Sequence, residues 1–237
     1  MRKRITLFGL ALVFLVTGIA LASSSEQSIS PDEALQRLMD GNKRYVESKM
    51  TSSASCNATS RAALASSQKP YAIILTCSDS RVPPEIIFDK GLGEIFVIRV
   101  AGNVPDPVVI GSIEYAAEHL GSPLVMVLGH ERCGAVKATV EAKGKTTGSK
   151  NIDAIAKAIE PSVKSAAKNC KAGKGNAKCA DAKNSEFLEN VSDANAKSVA
   201  ANLTKQSPIL KHLAKEKKIK IVAAKYDLDD GLVTLFK

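Results

Sequence analysis

Beyond residue 21 the chain has no apolar run long enough to cross a bilayer, it contains no C-x-x-C pair, and its basic stretches have no aromatic rings among them. Each absence removes a class of protein. A spanning helix needs about 20 consecutive, mainly apolar residues, so no segment after the first is a membrane span. Lack of C-x-x-C removes the usual motif of thiol–disulfide redox proteins. A nucleic-acid groove wants arginine and stacking rings beside its charge. The lysines of residues 143–220 are instead spread mostly singly among Ala, Gly, Ser and Asn. They read as a solvated surface, and no nucleic-acid partner is expected. There are also no internal repeats.

What is present fits a globular α/β protein, since 237 residues at 45% hydrophobic composition can bury a substantial core. The first segment stands apart. Arg2, Lys3 and Arg4 precede an apolar run over residues 7–21, which ends in Ala20-Leu21-Ala22 before three serines. This is the pattern of a secretory signal over residues 1–22, with an uncleaved anchor as the alternative reading. The expected mature protein is exported, periplasmic or secreted, with no stable membrane association after cleavage. The formal charge is +9, and loss of the three leading basic residues leaves +6. Five cysteines is an odd number for an oxidising compartment. If Cys77 and Cys133 are metal thiolates, Cys170 and Cys179 bracket a Gly/Lys-rich loop and can close a small disulfide, which leaves Cys56 unassigned.

Residues 30–237 are expected to form a single domain. Ser30-Pro31-Asp32-Glu33 offers an N-cap, a first-turn proline and acids against the helix dipole. Ala34, Leu35, Leu38, Tyr45 and Val46 follow at helical spacing. Three apolar runs read as buried strands: Tyr71-Ala72-Ile73-Ile74-Leu75, Ile95-Phe96-Val97-Ile98 and Leu124-Val125-Met126-Val127-Leu128. A short helix after Pro83-Pro84 and a longer one over residues 107–120 separate them. Such alternation implies a mostly parallel sheet of about four strands flanked by helices. The fourth strand lies over residues 219–223. Asp229-Asp230-Gly231 then turns into a C-terminal edge strand over residues 232–236. Residues 143–218 read as a Lys/Ala-rich helical elaboration, broken near Pro161, Gly173 to Gly175 and Pro208, with no legible motif.

Chemistry concentrates just past two of the strands. Cys77 follows the first in Thr76-Cys77-Ser78-Asp79-Ser80-Arg81, and His130 and Cys133 follow the third in Gly129-His130-Glu131-Arg132-Cys133-Gly134. In parallel α/β sheets functional groups gather outside the carboxyl ends of the strands, and right-handed crossovers bring these two ends to one edge. Two thiolates and an imidazole are usual zinc donors, and a catalytic zinc keeps its fourth position for water. Singly, each residue has an ordinary reading as a small buried side chain, a hydrogen-bonded histidine, half of a disulfide, or half of a Cys/His nucleophile and base. Together, with Asp79 and Arg81 beside them, they point to zinc.

Cys77-Ser78-Asp79-Ser80-Arg81, with Gly129-His130-x-x-Cys133-Gly134 about fifty residues later, resembles the two signature motifs of β-class carbonic anhydrases. Gly41-Asn42-Lys43-Arg44-Tyr45, Val82-Pro83-Pro84-Glu85, Arg99-Val100-Ala101-Gly102-Asn103, Gly111-Ser112-Ile113-Glu114-Tyr115-Ala116 and Tyr226-Asp227-Leu228 are similar to that family as well. The resemblance implies one Zn2+ per chain on Cys77, His130 and Cys133. It implies hydration of carbon dioxide to bicarbonate and a proton by zinc-bound hydroxide, with catalytic Asp79 paired to Arg81 and orienting the hydroxide. It also implies a substrate pocket using Gln68, Phe96, Tyr115 and Gly134, shared in part across an interface, and therefore a homodimer or larger. Carbon disulfide and carbonyl sulfide hydrolases resemble the same scaffold. Where the bicarbonate-regulated subgroup has a tryptophan three residues before the first zinc cysteine, this chain has Ile74, which argues against that regulation. His119 and His212 read as exposed bystanders, so no proton shuttle is evident.

Overall fold

A computed structural model describes residues 29–172 and 179–237, so the expected signal segment lies outside the described residues. The order of elements is α1 (Pro31–Val46), α2 (Ala58–Ala63), β1 (Ala72–Thr76), α3 (Pro84–Ile87), β2 (Ile95–Arg99), α4 (Pro107–Glu118), β3 (Leu124–His130), α5 (Gly134–Ala142), α6 (Lys150–Ala172), α7 (Ser185–Gln206), α8 (Pro208–Lys215), β4 (Lys220–Tyr226) and β5 (Val233–Leu235). The sheet runs β2-β1-β3-β4-β5, with only the β4–β5 pair antiparallel.

Side chains of a strand alternate between faces, and here both faces are covered. Ile74, Leu124, Met126 and Leu128 pack with α1 and α3 on one side. Ile73, Leu75, Val125 and Val127 pack with α4, α7 and α8 on the other. That two-sided burial explains why β1 and β3 read as unbroken apolar runs. β2 departs from expectation: it is half-exposed, because only β1 pairs with it. β3 is longer than its apolar run and carries Gly129 and His130, which pair with Lys225 and Tyr226.

Helix starts follow capping chemistry, as Ser30 Oγ accepts from Glu33 N–H and Asp106 Oδ1 accepts from Val109 N–H. The break expected at Pro161 does not occur, since α6 continues through it. Its flanking residues Ile159, Ser162 and Ala166 are buried, and that packing offsets the hydrogen bond a helix loses at an internal proline. α7 is also no mere appendage, because Ala196, Val199 and Leu203 belong to the sheet core. Cys170 and Cys179 form a disulfide, with Cα atoms 6.3 Å apart, while Cys56 is exposed and free. The C-terminal hairpin is fastened to α1 by buried Asn42, which donates to Ile87 and Gly231 carbonyls and accepts from Val233 N–H. Among the described residues, no helix is long and apolar enough to cross a membrane.

Candidate metal centre

Neighbouring parallel strands β1 and β3 end at the same edge of the sheet, and three side chains converge there. Cys77 follows β1, His130 is the last residue of β3, and Cys133 is the N-cap of α5. All three are buried, and their donor atoms lie within 4.8 Å of one another. Behind them is a third apolar cluster, in which Val104, Val136, Ile159, Phe187 and Val191 pack around both cysteines.

This trio has the chemistry of a metal site. His130 Nδ1 lies 2.7 Å from the Glu131 carbonyl. A carbonyl only accepts, so Nδ1 carries the proton and Nε2 keeps its lone pair. Nε2 is buried and has no hydrogen-bond partner. An orphaned buried lone pair is costly unless something fills it. The thiols point the same way. The Cys133 thiol donates to Cys77 and, with lesser help from the Gly102 and Asp79 amides, holds Cys77 far below an ordinary thiol against the opposing effect of burial. The same contact and burial push Cys133 far up. Alone, the pair holds one charge and one proton; a divalent cation displaces the second proton. Two cysteines and a histidine fit zinc with one position left open.

Asp79 stands beside the trio, its Oδ2 3.9 Å from His130 Nε2. Arg81 grips it through Nε to Oδ1 at 2.9 Å, Nη2 to Oδ2 at 2.8 Å and its own N–H to Oδ1 at 3.0 Å. This grip lowers the Asp79 carboxyl to about 2, so it is ionised at any ordinary pH.

Several residues without a role in the sequence reading build the frame. Arg99 donates to the Cys77 and Asp79 carbonyls at 3.1 and 2.6 Å. Gly102 N–H donates to Cys77 Sγ at 3.3 Å. Arg132, at φ +49, sits between the two later ligands. Its N–H donates to Glu189, its guanidinium grips Asp229 by two 2.9 Å bonds, and its carbonyl accepts from Arg81. Arg99 and Gly102 lie in a stretch legible as family-like; Arg132 and Glu189 gave no signal.

Of the expected pocket residues, Gly134 adjoins Cys133, whereas Phe96 does not adjoin the trio within one chain. Phe96 pairs with Ile73, four residues before Cys77, or about 13 Å back along the strand. Its ring contacts Tyr115 at a centroid distance of 6.4 Å, and Tyr115 is half-exposed. Gln68 is exposed ahead of β1, and Gly134 is exposed at the start of α5. His119 and His212 are exposed and pair with Glu118 and Glu216.

A family model described as carbonic anhydrase matches residues 72–233. The chain belongs to the carbonic anhydrase family. Carbonic anhydrase 2 of Mycobacterium tuberculosis (strain H37Rv) is 50% identical to it over 113 residues, 48% of this chain and 54% of that protein. The chain thus spans about half the length of the curated carbonic anhydrases it matches. Among solved structures, the Coccomyxa β-carbonic anhydrase in complex with acetazolamide is 25% identical, with a TM-score of 0.64 over 85% of this chain and 86% of that one. A tetrameric β-carbonic anhydrase from Sordaria macrospora shares the fold at 19% identity, with a TM-score of 0.65 over 86% and 97%. Within the carbonic anhydrase family the chain falls in the β class.

Proposed function

We propose that this chain is a zinc-dependent carbonic anhydrase, a lyase that reversibly hydrates carbon dioxide to bicarbonate and a proton. The observation that carries this reading is the orphaned Nε2 of His130 facing two buried cysteines, beside a carboxylate clamped by arginine. Cys77, His130 and Cys133 would hold the metal. Zinc, when bound there, supplies hydroxide near neutral pH by lowering the pKa of water towards about 7.

The chain's own residues do the rest. The Glu131 carbonyl holds the His130 Nδ1 proton, so the tautomer is fixed. Asp79, ionised at ordinary pH, only accepts hydrogen bonds there; its carboxylate can therefore hold the proton of the attacking group and aim the lone pair at carbon. Arg81 keeps that carboxylate from turning. Phe96 and Tyr115 supply the apolar surface suited to carbon dioxide, with a second copy completing the pocket. The half-exposed edge strand β2 supports a homodimer or larger assembly, as does the tetrameric Sordaria relative. Export to an oxidising compartment is supported by the Cys170–Cys179 disulfide and by the signal-like pattern at residues 1–22.

Stopped-flow hydration by metal-stripped and zinc-reconstituted protein tests this reading. Activity is expected only after zinc is restored, and acetazolamide is expected to inhibit it. Equal hydration rates with and without metal would refute it.

A further inference from the structure

The helical segment after residue 143 carries no sequence motif, yet its side chains reach the metal centre through one glycine. Gly102 N–H donates to Cys77 Sγ at 3.3 Å. The Gly102 carbonyl accepts from Asn195 Nδ2 at 2.8 Å, and Asn195 Oδ1 accepts from the Ser162 hydroxyl at 3.3 Å. Asn195 lies on α7 and Ser162 on α6, and they are only 2% and 4% exposed. The Ser162 hydroxyl occupies the amide oxygen, which leaves the NH2 end to face Gly102.

Packing holds the same glycine from other sides. Gly102 sits at φ +68, and a Cβ there would lie 2.7 Å from Ile159 Cδ1 of α6 and 3.2 Å from Ala135 Cβ of α5. Its peptide is therefore seated by three helices at once. An N–H aimed at a thiolate stabilises charge on sulfur and fixes its direction. A shift of a few tenths of an ångström in Gly102 would be felt at Cys77, since hydrogen bonds weaken steeply with misalignment.

We propose that Asn195, oriented by Ser162, is a positioning residue for the metal centre. It holds Gly102 so that the Gly102 N–H stays on Cys77 Sγ, and thereby sets how Cys77 donates to zinc. This rests on the reading of Cys77 as a zinc thiolate. The segment that looks like an elaboration thus reaches the chemistry from behind.

The test uses the full chain loaded with cobalt(II) or zinc. Asn195→Leu removes the donor at similar volume, and Ser162→Ala removes only the orienting hydroxyl. Leu203→Ala is the control, on the same helix but in the sheet core. Asn195→Leu is expected to move the thiolate-to-cobalt charge-transfer band to longer wavelength and to speed zinc loss to a chelator about tenfold. Ser162→Ala should do the same to a smaller extent. Leu203→Ala should lower the melting temperature and leave band and zinc loss unchanged. The inference is overturned if Asn195→Leu behaves as wild type in both readouts, or if Leu203→Ala moves them as far. Should Asn195→Leu not fold, Ser162→Ala decides alone, an unchanged band and rate counting against the inference. Wild-type protein that takes up neither metal would overturn the zinc reading itself, a result distinct from metal uptake with unaltered variant spectra.

Discussion

Gly102→Ala is the substitution whose cost can be worked most fully from the structure. Gly102 has φ 68° and ψ 18°, a left-handed conformation, which costs an L-residue about 1–2 kcal/mol. The added methyl would sit 2.7 Å from Ile159 Cδ1, the free end of a side chain, and 3.2 Å from Ala135 Cβ. Moving Ile159 off its position in a buried cluster adds about 1–3 kcal/mol of overpacking. The expected loss is therefore about 2–5 kcal/mol, read by urea unfolding followed by far-UV circular dichroism at matched metal content. Ile159→Val removes the colliding atom and supplies an internal check. Alone it should cost about 0.5–1.5 kcal/mol. Combined with Gly102→Ala it should cost nothing or restore stability, so the two changes are strongly non-additive. Additivity within about 0.5 kcal/mol, or a Gly102→Ala cost below about 1 kcal/mol, would show that Ile159 and the left-handed backbone do not confine Gly102.

Asp79→Asn should keep zinc yet lower hydration kcat/KM by about 10²-fold or more, because the acceptor that aims the nucleophile is lost; stopped-flow rates beside metal analysis check both halves. The same residue gives a pH signature. Arg81 holds the folded Asp79 at about 2, below its ordinary 3.8, so its stabilising contribution is full above the ordinary value and is lost as pH falls through the folded one. The stability gap between wild type and Asp79→Asn should accordingly close between pH 4 and pH 2 in acid titrations followed by circular dichroism. Replacing Cys170 and Cys179 by serine opens a loop with a sequence separation of 9, and should cost roughly 2–3 kcal/mol in chemical unfolding. Asn42→Ala removes three buried hydrogen bonds between α1, α3 and the C-terminal hairpin. It should lower stability by roughly 3 kcal/mol and speed amide exchange at Val233.

Legibility in the sequence followed physics. β1 and β3 were readable because both faces of each are buried, which forces continuous apolar residues. β2 is similarly apolar but lies at the sheet edge, and apolar content alone cannot tell a central strand from an edge strand. The trio was readable because strand-end placement is a property of topology, so two short motifs sufficed. The clamp on Asp79 was readable because Arg81 is two residues away. By contrast, Asn195 is one polar residue in a helix of Ala, Ser, Asn and Lys, and it meets Gly102 across 93 positions. No local pattern encodes such a contact. Pro161 misled for the opposite reason, a local rule overridden by the packing of Ile159, Ser162 and Ala166. The pocket expected from Gln68, Phe96 and Tyr115 was not legible as a position in the fold, because Phe96 lies on the edge strand β2 opposite Ile73 and away from the strand ends that carry the trio.

The proposed activity requires that Cys77, His130 and Cys133 hold one zinc ion together. X-ray absorption at the zinc edge of the full-length protein reads this directly. It should give one zinc per chain with two sulfur scatterers at about 2.3 Å, one imidazole nitrogen at about 2.0–2.1 Å and one further light atom. Cys77→Ser should reduce the sulfur count or abolish binding. A zinc shell of nitrogen and oxygen alone, or protein that binds no zinc when reduced and folded, would contradict it.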